Sequence, residues 1–117
     1  MHTRPIIYQL MVRLFGNTKE AKTTWGTSDQ NGVGKFNNIS EKALKEIKAM
    51  GISHVWYTGI ISHSTWTKYE EFGIPGDHPR LVKGRAGSPY AIKDYFDVDP
   101  DLAVSVDNRM DEFQSLV

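Results

Sequence analysis

The chain has 117 residues, which is enough for one domain with a modest hydrophobic core. Its 14 lysines and arginines balance 14 aspartates and glutamates, and no basic stretch is long, which argues against nucleic acid as a partner. The chain has no cysteine, which excludes disulfides, thiolate metal sites and a cysteine nucleophile.

The first predicted element is a strand over residues 6–15, a largely apolar run interrupted by Gln9 and Arg13. Because the run is nearly continuous rather than alternating, it is typical of a parallel strand that is covered on both faces. It is too short to span a bilayer, and no small-residue cleavage site follows it. With Met1 taken as the natural start, we expect a buried strand, no membrane partner and a cytoplasmic protein.

A helix with clear boundary signals follows a polar stretch over residues 16–38, which is long enough to be a functional loop. Ser40 can serve as the N-cap, Glu41 lies in the first turn where the helix dipole favours an anion, and Gly51 can end the helix in a left-handed conformation. The apolar residues at helical spacing are Ala43, Leu44, Ile47 and Met50.

Residues 53–58 form the second predicted strand, in which Trp56 and Tyr57 are expected in the core. Strand, helix and strand with a short helix-to-strand connection make a right-handed crossover unit. A second long loop over residues 60–91 and a helix over residues 106–117 complete the pattern, which offers no third parallel strand. Because two strands cannot make a doubly covered sheet, we expect a fragment of a larger barrel or open sheet.

The most informative segment is residues 87–100, with the sequence GSPYAIKDYFDVDP. It follows a long loop on the carboxyl side of a strand, the side that carries active sites in α/β barrels. Tyrosines and aspartates there suit a sugar, since an aromatic ring stacks on the apolar face of a pyranose and carboxylates accept hydroxyl hydrogen bonds. The alternative is an aspartate-rich turn with buried tyrosines.

Five segments in this order resemble the alpha-amylase family of glycoside hydrolases: IIYQLMVRLF, GVGKFNNIS, IKAMGISHVWYTGII, SPYAIKDYFDVDP and MDEFQSLV. They match the family's first strand, the loop after it, the second strand with the end of the preceding helix, the GYxxxDYxxIDP segment and the helix that follows. The resemblance covers nearly the whole chain apart from loop insertions. It implies a (β/α)₈ barrel that cleaves α-glucans with retention of configuration.

The resemblance also implies roles for individual residues of the fourth segment. Tyr90 matches the family tyrosine that stacks under the sugar at the cleavage position. Asp94 and Tyr95 match a pair that mainly shapes the loop. Asp99, with the proline after it, matches the structural end of the motif.

Two kinds of loop residue are further candidates for sugar binding. Trp25 lies in the loop that rims the cleft in the family, and an exposed indole such as Trp25 or Trp66 marks a ligand platform or an interface. His63 and His78 can donate hydrogen bonds to sugar hydroxyls, with a solvated loop histidine as the alternative. We therefore predict that Tyr90, His63 and Trp25 bind the substrate.

No cofactor or metal is expected in this chain. In the family the first loop often carries a calcium site, but here Lys35 stands where a liganding aspartate would be, and its ammonium would repel a divalent cation. Asp29, Asn31 and a backbone carbonyl are too few for calcium, which takes about six to eight oxygens. Residues 32–35, Gly-Val-Gly-Lys, lack the third glycine of a dinucleotide fingerprint and the spacing of a phosphate loop. The resemblance leaves calcium open for the parent enzyme.

The expected fold class is α/β, with residues 1–117 forming the first strand-helix-strand-helix portion of a TIM (β/α)₈ catalytic barrel. The family's aspartate nucleophile and glutamate general acid lie at the ends of later strands, so no catalytic residue is assigned in this chain.

The expected function is the N-terminal fragment of a retaining glycoside hydrolase that acts on α-glucans or maltooligosaccharides, with the fragment itself inactive. The alternative is a small non-catalytic sugar-binding or interaction module. Strands open on one side expose apolar surface and unpaired backbone groups, so we also expect the fragment to self-associate.

Overall fold

The computed structural model describes residues 4–20 and 22–117, and the predicted start at Met1 lies outside them. Within these ranges the chain forms four strands and four α-helices. The strands are β1 (Ile7–Met11), β2 (His54–Thr58), β3 (Ile61–His63) and β4 (Ile92–Val98); the helices are α1 (Val12–Phe15), α2 (Ser28–Asn31), α3 (Glu41–Ala49) and α4 (Arg109–Leu116). In this part of the chain no helix is both long enough and apolar enough to cross a membrane.

The predicted strand-helix-strand unit is confirmed. β1 and β2 pair in parallel, from Ile7 opposite His54 to Met11 opposite Thr58, and α3 lies between them in the chain. The hydroxyl of Ser40 accepts a hydrogen bond from the backbone of Ala43, so it caps α3 as expected. Gly51 follows the helix with a φ of +88°, a conformation that glycine adopts without steric cost. The last predicted helix is also confirmed, as α4.

The first strand is shorter than predicted, because the chain turns into α1 after Met11. This turn buries Val12 completely and directs the guanidinium of Arg13 onto the carboxylates of Asp99 and Asp101. The backbone oxygen of Arg13 also accepts a hydrogen bond of 2.8 Å from Gly34. The ion pairs of Arg13 depend on this turn. The apolar run does not reveal them, so the strand predicted from it was too long.

The expected fold class, a portion of a TIM barrel, is wrong for this structure. β3 and β4 pair antiparallel in a sheet of their own, which is separate from the β1–β2 sheet, so no barrel forms. β3 lies in the segment that was predicted as the second loop, and β4 lies in the segment 87–100, for which no strand was predicted. β3 has only three residues, and the pairing of β3 with β4 is irregular on both sides of Ser62, so neither strand carries a clear periodic pattern.

The hydrophobic core lies on one face of the β1–β2 sheet, beneath α3 and α4. Its buried residues are Leu10, Val12, Phe36, Ile39, Ile47, Val98 and Leu102. Tyr57 packs against this core, whereas Trp56 is 56% exposed on the opposite face of the sheet beside Ile7 and Gln9. The prediction that β1 is covered on both faces and that Trp56 belongs to the core is therefore wrong.

Candidate functional site

Two long loops meet beyond the carboxyl ends of β1 and β2. The first loop comprises residues 16–38, which include α2, and the second loop comprises residues 59–91, which include β3. Gly34 brings the first loop against α1, where a Cβ atom would collide with the backbone oxygen of Val12. Gly59 begins the second loop with a φ of +76° and lies against Pro89. These close approaches hold the two loops over the same end of the sheet.

A buried polar network joins α1 to the second loop and to the segment after β4, and it is named here the Arg13 network: Arg13, His63, Tyr69, Asp99 and Asp101. One guanidinium nitrogen of Arg13 donates to Asp101 at 2.6 Å and to Asp99 at 3.3 Å. Nδ1 of His63 lies 3.5 Å from the same oxygen of Asp99. The hydroxyl of Tyr69 donates to the other carboxylate oxygen of Asp101. The network therefore joins α1, the second loop with its strand β3, and the segment after β4.

Burial and charge shift several pKa values in this network. Burial raises the pKa of Asp99, and the neighbouring carboxylate of Asp101 raises it further, against the opposing effect of Arg13. Burial lowers the pKa of Arg13, but the carboxylates of Asp101 and Asp99 together outweigh it and leave that pKa raised. Burial and Asp101 also raise the pKa of Tyr69. Within the described residues no buried side-chain nitrogen or oxygen lacks a partner, so the network is fully satisfied.

An open cleft lies between the two loops, and we call it the interloop cleft. It consists of three adjoining hollows of about 180, 290 and 130 Å³, and Arg85 borders all three. Arg13 and Asp101 of the buried network line the hollow of about 180 Å³. Hydroxyl and amide side chains also line the cleft: Asn17, Thr27, Ser28, Asn31 and Thr67.

Two tryptophans flank the interloop cleft. Trp25 and Trp66 come from different loops, and their ring centroids lie 5.7 Å apart at an angle of 51°. They remain 59% and 43% exposed. Trp25 has a φ of +58° and is the one non-glycine among the described residues in this region of backbone space. Such conformations cost free energy and cluster at ligand sites, so the pair has the features of a binding surface.

The predicted substrate-binding residues do not come together at one place. Trp25 lines the interloop cleft, whereas Tyr90 is 79% exposed and borders none of its hollows. His63 is buried, and its Nε2 atom lies 2.9 Å from the backbone oxygen of Ala86, which lines the cleft. His63 therefore stands behind the cleft wall. The roles of these residues in sugar binding stay predictions.

The predicted loop-shaping residues lie along β4 and just after it. A carboxylate oxygen of Asp94 accepts a hydrogen bond of 2.9 Å from the backbone of Phe96, and the side chain of Tyr95 is exposed. Asp99 is fully buried and accepts a hydrogen bond from the backbone of Asp101. Because Tyr90 and Tyr95 are exposed, the alternative of a turn with buried tyrosines is wrong.

Lys35, in the first loop, makes a structural contact. Its ammonium donates to the backbone oxygen of Asp101, and burial lowers its pKa. Asn31 uses its side-chain amide to hold both backbone groups of Thr23. Over residues 4–20 and 22–117, no group of three or more histidine, aspartate or glutamate side chains is arranged to hold a metal ion.

Sequence reasoning missed four residues of this region: Arg13, Tyr69, Arg85 and Asp101. Arg13 carried a signal, because a charged residue inside an apolar run needs a buried partner or a way out to water. Asp101 follows a motif whose end was treated as structural. Arg85 and Tyr69 carried no signal, since their proximity to the first loop arises only from the folding of the second loop.

Compared with family models, with curated proteins and with solved structures, the chain matches none of them.

Proposed function

We propose that this chain is the amino-terminal part of an alpha-amylase-type enzyme that cleaves α-glucans, and that it contributes sugar-binding surface without a catalytic carboxylate. The proposal rests on the resemblance of five sequence segments and on the chemistry of the interloop cleft. Its cytoplasmic location stays a prediction from the sequence.

The observation that carries this proposal is the exposed pair Trp25–Trp66 beside a cleft lined by hydroxyl and amide groups. Indole rings stack on the apolar face of a pyranose, while hydroxyl and amide side chains exchange hydrogen bonds with the sugar hydroxyls. A cleft that combines a few directed polar groups with aromatic surface is typical of small-ligand sites. A neutral oligosaccharide matches both features.

Catalysis is proposed to need carboxylates from outside this chain. Asp101 is the only carboxylate among the described residues that line the interloop cleft. One of its oxygens accepts from Arg13 and the other from Tyr69, so neither is free to attack a sugar or to protonate a leaving group. We therefore expect no hydrolysis of a chromogenic maltooligosaccharide by the purified chain. Turnover that disappears on substitution of a residue in this chain would contradict the proposal.

The alternative is a non-catalytic sugar-binding module. One observation favours it: the interloop cleft and its tryptophan pair are assembled from this chain alone. Both candidates require sugar binding by the chain. They differ in the activity of the complete gene product, which hydrolyses α-glucans in the first case and only binds them in the second.

The test is a titration of the chain with maltotriose and, in parallel, with the β-linked cellotriose, followed by tryptophan fluorescence and by calorimetry. Trp25→Ala and Trp66→Ala are expected to weaken maltotriose binding by about tenfold or more, which corresponds to the loss of one stacking platform. Trp56→Ala is the matched control, because Trp56 is equally exposed but lies on the open face of the β1–β2 sheet.

Binding of maltotriose that both cleft variants weaken and Trp56→Ala leaves unchanged supports the proposal. Absence of binding by the folded chain, or equal losses in all three variants, contradicts it. Circular dichroism and thermal unfolding of each variant show whether the fold has been retained.

Tyr90 offers a separate test in the complete enzyme. Tyr90→Ala is expected to lower kcat/KM far more than Tyr90→Phe, because only the first substitution removes the ring that the resemblance places under the sugar. Equal losses would mean that the hydroxyl group, rather than the ring, is what matters.

A further inference from the structure

We infer that the interloop cleft takes a phosphorylated saccharide, with the phosphate on Arg85 and the neighbouring hydroxyl groups. This inference rests on the proposed sugar-binding function and adds the charge of the ligand. It starts from the smallest of the three hollows, which has a volume of about 130 Å³.

Five residues line this hollow: Thr27, Ser28, Trp66, Thr67 and Arg85. Three of them are hydroxyl residues and one is a guanidinium, while the fifth presents an indole ring. Hydroxyl and guanidinium groups are the side-chain donors that bind phosphate oxygens, and a guanidinium binds two of those oxygens at once. The indole provides the apolar surface on which a sugar ring attached to the phosphate can lie.

The charge around the interloop cleft favours an anion. Arg85 makes no ion pair within the described residues, although its backbone is held in place by hydrogen bonds of 2.9 Å from Trp66 and from the hydroxyl of Thr65. Lys22 and Lys83 border the adjoining hollows. The one carboxylate among the described lining residues, Asp101, is already paired with Arg13. In a chain of formal net charge zero, this is a local excess of positive charge.

The hydroxyl of Thr27 has a proton that can serve such a role. Its oxygen accepts the backbone N–H of Gln30 at 3.3 Å, as the cap of α2, so its proton remains available for an acceptor. A phosphate group has three terminal oxygens, which matches the number of hydroxyl groups in the hollow better than the two oxygens of a carboxylate do. These features together favour a phosphate ester over a uronic acid.

The experiment compares maltose 1-phosphate, maltose and a glucuronide of similar size as ligands of the intact chain, by calorimetry. The phosphate ester is expected to bind at least about tenfold more tightly than maltose, the gain expected from charge-assisted hydrogen bonds. Arg85→Gln is expected to abolish this gain, so that the variant binds maltose and its phosphate with similar affinity. Arg80→Gln is the matched control, because Arg80 is also exposed but borders no hollow of the cleft.

The outcomes separate this inference from the function on which it rests. Equal affinity for maltose and its phosphate, or a preference that survives Arg85→Gln, overturns the inference and leaves the proposed function intact. An equal gain for the glucuronide overturns the assignment to phosphate. Failure of every saccharide to bind, the neutral one included, overturns both together.

Discussion

Removal of the Arg13 guanidinium tests whether the Arg13 network holds α1 against the segment after β4. Arg13→Met keeps most of the aliphatic volume and deletes the charge. It leaves Asp99 and Asp101, which are 0% and 2% exposed, without their shared cation. Breaking a buried ion pair from one side costs about 3–5 kcal/mol, because the remaining charge is buried and uncompensated. Since domains of this size unfold at a cost of about 5–15 kcal/mol, the loss would be a large share of the total.

The matched control is Arg109→Met. Arg109 also makes short contacts to a carboxylate, of 2.8 and 2.9 Å to Asp97, but both side chains of this pair are 20% exposed. Water can then solvate the carboxylate that is left behind, so we expect a loss of no more than about 1–2 kcal/mol. The contrast between the two variants isolates the effect of burial from the loss of an arginine as such.

The assay is urea unfolding followed by circular dichroism at pH 7 and at pH 4.5. The folded-state pKa of Asp99 is already raised, so ionisation of this group costs stability as the pH rises above its ordinary pKa of about 3.9. Without Arg13 that pKa rises further, and the deficit of the variant should therefore be largest at pH 7 and smaller at pH 4.5. A deficit below about 1 kcal/mol, or one that is equal at both pH values, would refute the reasoning.

Three further predictions concern other parts of the structure. Hydrogen bonds from Arg109 lower the pKa of Asp97, so the pair stabilises the fold above about pH 4 and loses this effect as the pH falls through the lowered pKa. In urea unfolding, Asp97→Asn should cost about 1–2 kcal/mol at pH 7 and progressively less as the pH falls below about 4. Gly34→Ala should destabilise the fold and broaden the NMR signals of the first loop, since its Cβ meets the backbone of Val12; unchanged stability would contradict the close approach. The open sheet face around Trp56 should drive self-association, which Trp56→Lys should reduce in light scattering; a monomeric wild type at high concentration would contradict this.

The sequence by itself determined the elements whose signals are local. Ser40 and Gly51 mark the two ends of α3 as predicted, because a capping hydroxyl and a left-handed glycine act within one turn of the chain. The parallel pairing of β1 with β2 follows from the helix between them. Trp25 was also a candidate from its loop position alone, and it lines the interloop cleft.

Only the tertiary structure decided the rest, because the deciding contacts join residues that are far apart in the chain. The turn after Met11 places Arg13 in contact with Asp101, which lies 88 positions away in the chain. β3 is defined by β4 and has no periodic pattern of its own. Arg85 faces Thr27 and Trp66 only after the second loop has folded over the first. A local sequence pattern determines secondary-structure propensity and helix capping. Burial and charge pairing depend instead on which distant segment packs against the residue. The cleft could therefore not be predicted from the residues that line it.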